Sequence, residues 1–257
     1  MIELRKVSKT YNAGTVTEMC LFDGFDLTVA DSEFVSVVGS NGSGKTSLLN
    51  IICGSMPFDS GTLLLDGKDI AGLKEFERYR RIGRVYQNPA AGTCPHLTIL
   101  ENMSLADNKG KCFGLSRGVN RARRDFYREQ LRVVGLGLED KLDVEVGALS
   151  GGQRQAVALI MATLTPVDIL ILDEHTAALD PHTADIIMEI TDRVVREKHL
   201  TALMVTHNLR YAVEYGNRLL MLDRGRIVLD KAGAAKESVV TDDLLDIFNR
   251  ISIECGN

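Results

Sequence analysis

The segment Gly39-Ser40-Asn41-Gly42-Ser43-Gly44-Lys45-Thr46 matches G-x-x-x-x-G-K-[ST] at every fixed position. It follows the apolar run Phe34-Val35-Ser36-Val37-Val38. It precedes residues 46–53, where Leu48, Leu49, Ile51 and Ile52 have helical spacing that stops at Gly54. That strand–loop–helix context gives the motif physical sense. The glycines let successive backbone N–H groups turn toward one anion, and the helix N-terminus adds its partial positive charge. Lys45 is then placed for terminal phosphates, and the Thr46 hydroxyl for a Mg²⁺ ion.

The rest of the chain agrees with an α/β reading. Ile2–Val7 and Phe25–Val29 alternate apolar and polar residues, as antiparallel strands with one buried face do. Gly61–Asp66 and Ile82–Gln87 read as further strands. From residue 98 to 165 strand signals fade and helical patterns take over, as in Arg117–Val134. After Asp168 the alternation returns: Ile169–Leu172 is a buried strand, 183–198 a helix and Ala202–Val205 another buried strand. Leu219–Leu222 and Arg226–Leu229 flank Asp223-Arg224-Gly225, a hairpin signal. Thr241–Leu245 opens a short helix with acidic residues in its first turn. The fold class predicted is α/β: a P-loop NTPase core with a mostly parallel sheet, an N-terminal antiparallel β subdomain and a helical insertion.

Composition narrows the function. The chain has 257 residues and a formal charge of −5, which argues against binding nucleic acid through general electrostatics. No run approaches the roughly 18 apolar residues of a membrane span. The start, Met1–Lys6, lacks the apolar core of a secretory signal, so an intracellular chain is expected. Cys20, Cys53, Cys94, Cys112 and Cys255 are an odd number without C-x-x-C spacing, and they read as idle thiols. The five histidines show no zinc-binding spacing.

Two further motifs supply what a phosphate loop needs. Ile169-Leu170-Ile171-Leu172-Asp173-Glu174 puts two acids at the end of a buried strand, where ligands of open parallel sheets collect. Asp173 is then the metal-side carboxylate beside Lys45 and Thr46. Glu174 is the candidate to orient or deprotonate an attacking water. Leu149-Ser150-Gly151-Gly152-Gln153 opens an apolar helix that Ser150 can cap, and its two glycines leave N-terminal amides bare. A second anion site is redundant within one chain, but it makes sense if it faces a phosphate held by another copy.

These motifs together resemble the ATP-binding subunits of ABC transporters, over essentially the whole chain. Gly39–Thr46 is similar to the family's Walker A and Leu149–Gln153 to its signature motif. Ile169–Glu174 is similar to Walker B, with Glu174 in the place of the catalytic glutamate. Ala178-Leu179-Asp180 resembles the D-loop and His207 the switch histidine. Gln87 resembles the Q-loop glutamine, which also approaches the metal. Tyr11 resembles the aromatic that stacks on adenine, and Ser47 follows Thr46 at the nucleotide. The resemblance implies ATP and Mg²⁺ bound at a composite head-to-tail homodimer interface, a transmembrane permease as partner, and peripheral placement on the cytoplasmic face of the membrane. It implies one ABC ATPase domain over 1–257. Within it, 1–87 and 166–240 form the core, 88–165 the helical subdomain and 241–257 a C-terminal helix.

Glu174-His175-Thr176-Ala177-Ala178-Leu179-Asp180-Pro181 has histidine where most of the family has proline. It resembles a bacterial group that pairs with a permease and an extracytoplasmic binding protein. Some members of that group are linked to aromatic amino-acid uptake. Import of a small solute such as an amino acid is the expectation. An exporter, or a soluble ABC ATPase in DNA repair or translation, stands as the alternative. A P-loop kinase is disfavoured by the signature motif. The basic stretch Arg117–Arg132 reads as a solvated helix face, with a membrane surface as the competing reading.

Overall fold

The computed structural model describes residues 1–111 and 118–254, with side chains described up to residue 251. Cys112, Arg117 and Cys255 lie outside the described residues. The chain divides into two compact units: Met1–Arg78 with the chain from His199 onward, and Tyr79–Lys198.

The first unit contains β1 (Ile2–Tyr11), β2 (Met19–Val29), β3 (Phe34–Gly39), α1 (Lys45–Cys53), β4 (Ser60–Leu65), β5 (Lys68–Asp69) and α2 (Glu75–Arg78). An antiparallel sheet runs β2-β1-β4-β5, with Leu4 opposite Leu27 on one side and Leu63 on the other. The expected alternation holds in β2, where Phe25, Leu27 and Val29 are buried between exposed Asp26 and Thr28. In β1 it fails. Ile2, Glu3 and Leu4 are all buried, and the register slips between Leu4 and Val7. Lys6 there has φ 50°, as at a β-bulge, and its N–H donates to Asp26 Oδ1 at 2.8 Å. Glu3 is tolerated inside because Arg5 reaches it at 2.5 Å.

The second unit follows in chain order with β6 (Ile82–Val85), α3 (Ile99–Asp107), α4 (Arg124–Arg132), α5 (Gly151–Ala162), β7 (Ile169–Asp173) and α6 (Pro181–Glu197). The expected strand 82–87 stops at Val85, so Gln87 lies in a bend. β6 and β7 are parallel, with Arg84 opposite Ile171. The helices bury Ile99, Met103, Tyr127, Leu131, Val157, Leu159 and Ile187. The expected helix from Arg117 to Val134 is represented by a 3-10 turn over Arg121–Arg123 and by α4.

The chain then returns to the first unit as β8 (Thr201–Val205), α7 (Leu209–Glu214), β9 (Arg218–Asp223), β10 (Arg226–Ala232), α8 (Ala234–Glu237) and α9 (Thr241–Glu254). β3 lies between β8 and β9, parallel to both, and every one of its residues is buried. Strands covered on both faces read as continuous apolar runs, which is why Phe34–Val38 does not alternate. β10 closes the edge as the expected hairpin partner of β9, with Arg226 opposite Asp223. The helix expected from Thr241 is longer than anticipated, at 14 residues. Its Leu244, Ile247, Phe248 and Ile251 pack on Met221 and Leu219 of β9, an apolar seat the sequence pattern did not expose.

Candidate functional site

In the first unit the loop after β3 carries the phosphate-binding motif into α1. Gly44 stands at the N-cap with φ 106°, and a Cβ there would lie 2.9 Å from Phe22 Cζ. Only glycine takes that conformation against that neighbour without strain. No side chain caps α1, so its first amides are left for a ligand. Lys45 is buried and folds back over the loop, its Nζ donating to the carbonyls of Gly39 (2.8 Å) and Ser40 (2.9 Å). Ser43 Oγ is buried with no hydrogen-bond partner, an orphaned polar atom inside the loop. Ser40, Asn41, Gly42 and Thr46 are exposed, and Ser40 Oγ is 3.4 Å from Asp223 Oδ1. Tyr11 and Ser47 meet, hydroxyl to hydroxyl, at 3.0 Å. His207 lies just past β8, exposed. Because Val37 pairs with Val205 in parallel, His207 leaves the same carboxyl edge as the glycine loop.

The second unit carries the acids and the second glycine pair. Asp173 ends β7, and Glu174 follows with φ 47°, a left-handed conformation uncommon for glutamate. The Glu174 carbonyl accepts from the Ala177 N–H at 2.9 Å, which starts a run of turns to Asp180. Asp180 caps α6 through the Thr183 N–H at 3.0 Å, and the Thr183 hydroxyl, with that N–H second, holds its carboxyl below the usual range. Gln87 is exposed. At Ser150 the structure qualifies the expectation of bare amides. Ser150 Oγ accepts from the Gln153 N–H and Gln153 Oε1 from the Ser150 N–H, both at 3.3 Å. This capping box uses amides of the helix start, so its anion capacity is partly occupied by its own side chains. Gly152 is there for space: a Cβ would come 2.3 Å from Thr183 Cγ2 in α6.

The sequence pattern marks His175 only as a departure from the family and assigns Arg84 no role. His175 is fully buried, and desolvation drops it from 6.5 to about 4. Its Nε2 lies 3.1 Å from Thr191 Oγ1, and that hydroxyl donates to the Ile187 carbonyl at 2.7 Å. The Thr191 oxygen therefore accepts, which places the ring proton on Nε2. Arg84, a cation within an otherwise buried strand, reaches Asp173 at 2.7 Å. That odd charge in Ile82-Gly83-Arg84-Val85 was its only signal. Among the arginines of the basic stretch, Arg123 pairs with Asp107, Arg124 with Asp143, Arg128 with Asp125 and Arg132 with Glu129. This local neutralisation favours the solvated-face reading.

A glycine loop that opens a helix from a central parallel strand, together with an acidic pair at the end of another parallel strand, defines a P-loop NTPase. Comparison with known proteins narrows the class. The model of the ABC transporter family matches residues 22–177. The tyrosine transport ATP-binding protein of Clostridioides difficile is 44% identical over 96% of this chain and 98% of its own length. The spermidine/putrescine import ATP-binding protein PotA of Haemophilus influenzae is 32% identical over 96% of this chain, which spans 61% of that relative. A dimeric structure of the ATP-binding cassette MJ0796 bound to ADP and Pi superposes with TM-score 0.75. It is 30% identical and is covered over 98% of its chain and 90% of this one. The chain belongs to the ABC transporter family. It is the ATP-binding subunit of an ABC transporter, an ATPase coupled to transport. No described helix is long and apolar enough to cross a membrane.

Proposed function

We propose that two copies of this chain bind two ATP·Mg²⁺ head to tail and power a separate permease that imports a small solute, an amino acid of the aromatic class being the best candidate. The observation that carries this reading is the pairing of one uncapped glycine-loop helix with a second, self-capped glycine helix start in a single chain. The first suits phosphate unaided, and the second suits a phosphate presented by another copy. The 44% relative named for tyrosine transport supports the substrate class, and PotA's name supports import.

Thr46 and Asp173, with Gln87, would hold Mg²⁺, and the ion would neutralise charge on the transferred phosphate. The donor set fits, being hydroxyl, carboxylate and amide oxygens of the kind magnesium takes. Among the described residues no cluster of three His, Cys, Asp or Glu could ligate a metal unaided. Tyr11 stacks on adenine, while Ser40–Ser47 and Lys45 hold the phosphates. Ser150–Gln153 and Asp180 of the other copy complete the site, and Glu174 and His207 position the water. ATP drives closure through its greater affinity for the closed pair. The whole chain forms one ABC ATPase domain with a helical subdomain over 88–165.

The permease contact assigned here is a groove of the second unit, about 380 Å³, lined by Leu105, Ala106, Ala158, Met161, Tyr86 and Lys109. Lys109 at its wall donates from Nζ to the Ile82 carbonyl at 2.9 Å, and burial lowers its pKa to about 8, so this wall is largely apolar and suits an apolar permease segment. The test is gentle solubilisation of membranes containing the tagged protein. A stoichiometric multi-spanning permease, with a binding protein attached, is the expected result, and Lys109→Glu should release it. Recovery only in the soluble fraction, with ribosomes or DNA-processing proteins, would overturn the reading.

A further inference from the structure

Arg84 is placed where a strand of this kind has little use for a charge. Its neighbours Ile82, Gly83 and Val85 are buried, and its own side chain is only 6% exposed. The guanidinium donates from Nη2 to Asp173 Oδ2 at 2.7 Å, and the Asp173 side chain is 14% exposed. The arginine is held in that direction from its other side. Its guanidinium carbon lies 4.6 Å from the centre of the Tyr86 ring. Tyr86 is itself fixed: its hydroxyl meets that of Tyr79 at 3.0 Å, and its carbonyl accepts from Gln155 Nε2 at 3.0 Å. Gln155 belongs to α5, the helix opened by Ser150.

An arginine cannot shed its proton to escape burial, and stacking on an aromatic face is one of its stable postures. Two ions taken this far out of water are kept only if each compensates the other. The Asp173 carboxylate is therefore partly neutralised before any metal arrives, with one of its two oxygens engaged. A divalent ion approaching the other oxygen meets a fixed positive charge in surroundings that screen it less than water does.

We infer that Arg84 is a built-in counter-cation of the metal-side carboxylate, a positioning residue that keeps Mg²⁺ affinity low until the phosphates of ATP supply the missing ligands. The inference rests on the reading of Asp173 as that carboxylate. It makes metal binding conditional on nucleotide. Because Arg84 also lines the Lys109 groove, the same charge stands at the face assigned to the permease.

The experiment is Mn²⁺ binding to the intact chain by electron paramagnetic resonance, with and without a non-hydrolysable ATP analogue. The wild-type chain should bind Mn²⁺ only with the analogue. Arg84→Met should tighten that binding by about tenfold and give measurable binding without nucleotide. Arg84→Lys, which keeps the charge, should stay within about threefold of wild type. Should Arg84→Met fail to fold, Arg84→Gln gives the same comparison. Unchanged Mn²⁺ affinity in the neutral variants would overturn the inference. So would weaker binding, because Arg84 would then be aiming the carboxylate at the metal instead of competing with it. Asp173→Asn separates the two readings. It should lose most Mn²⁺ affinity, and wild-type affinity there would remove the metal assignment itself.

Discussion

The chain opens two helices with serine and glycine, and the two openings differ in who satisfies their amides. At α1 the cap is a left-handed Gly44 with no side-chain bond, and Ser43 Oγ lies buried without a partner. At α5, Ser150 and Gln153 bond each other's backbone in a reciprocal box. The first end is bare and ready for an anion. The second is occupied by its own residues, through two bonds of 3.3 Å, at the long end of the usual range. Under the head-to-tail arrangement proposed above, the ready site would take nucleotide on its own chain and the self-capped one would meet the phosphate of another copy.

Lys45→Ala attacks the ready site and carries the largest effect. ATP affinity of the isolated chain should fall by about a hundredfold or more, read by fluorescent-nucleotide titration. In contrast, Ser150→Ala should leave that affinity within about twofold while turnover falls by about a hundredfold. Equal losses of ATP affinity in the two variants would erase the distinction between the sites.

Acid sharpens the comparison by reaching only one region through a buried histidine. His175 has a folded value of about 4, below its ordinary 6.5, so the unfolded chain takes up the proton first. Stability from this group is complete above pH 6.5 and falls as the pH drops toward 4, by about 3 kcal/mol across the window. His175→Asn should flatten that part of the denaturation profile, and an unchanged slope would remove the assignment.

Glycine replacements come next. Gly44→Ala meets both a forbidden φ and the Phe22 ring, and should cost about 1–3 kcal/mol together with ATP affinity. Gly152→Ala meets only Thr183 Cγ2, so it should cost a similar amount but spare ATP binding. Thr183→Ser, which removes that methyl, should restore much of the loss. The smallest effect is the cap itself: Ser150→Ala should lower unfolding stability by about 1 kcal/mol in urea titrations.

The ease with which each feature was read from sequence follows the same division. The glycine loop was legible because its chemistry is backbone chemistry, and backbone needs are written as glycine spacing. Buried parallel strands were legible as unbroken apolar runs. What stayed hidden depends on side chains meeting across the fold. The bulge at Lys6 is set by Asp26 in the next strand, and Arg84 has meaning only beside Asp173. The capping box was half visible, since Ser150 announced a cap but Gln153 closing it did not. His175 reads as a mere substitution until Thr191, a full helix away, is placed beside it.

If the self-capped end serves another copy's nucleotide, ATP must bring two chains together. Sedimentation velocity of Glu174→Gln with and without ATP tests it most directly. Adding ATP should shift the 28.2 kDa chain to a species of twice that mass, and Ser150→Ala in the same background should weaken the shift. A variant that binds ATP tightly yet stays at single-chain mass at every concentration would contradict it.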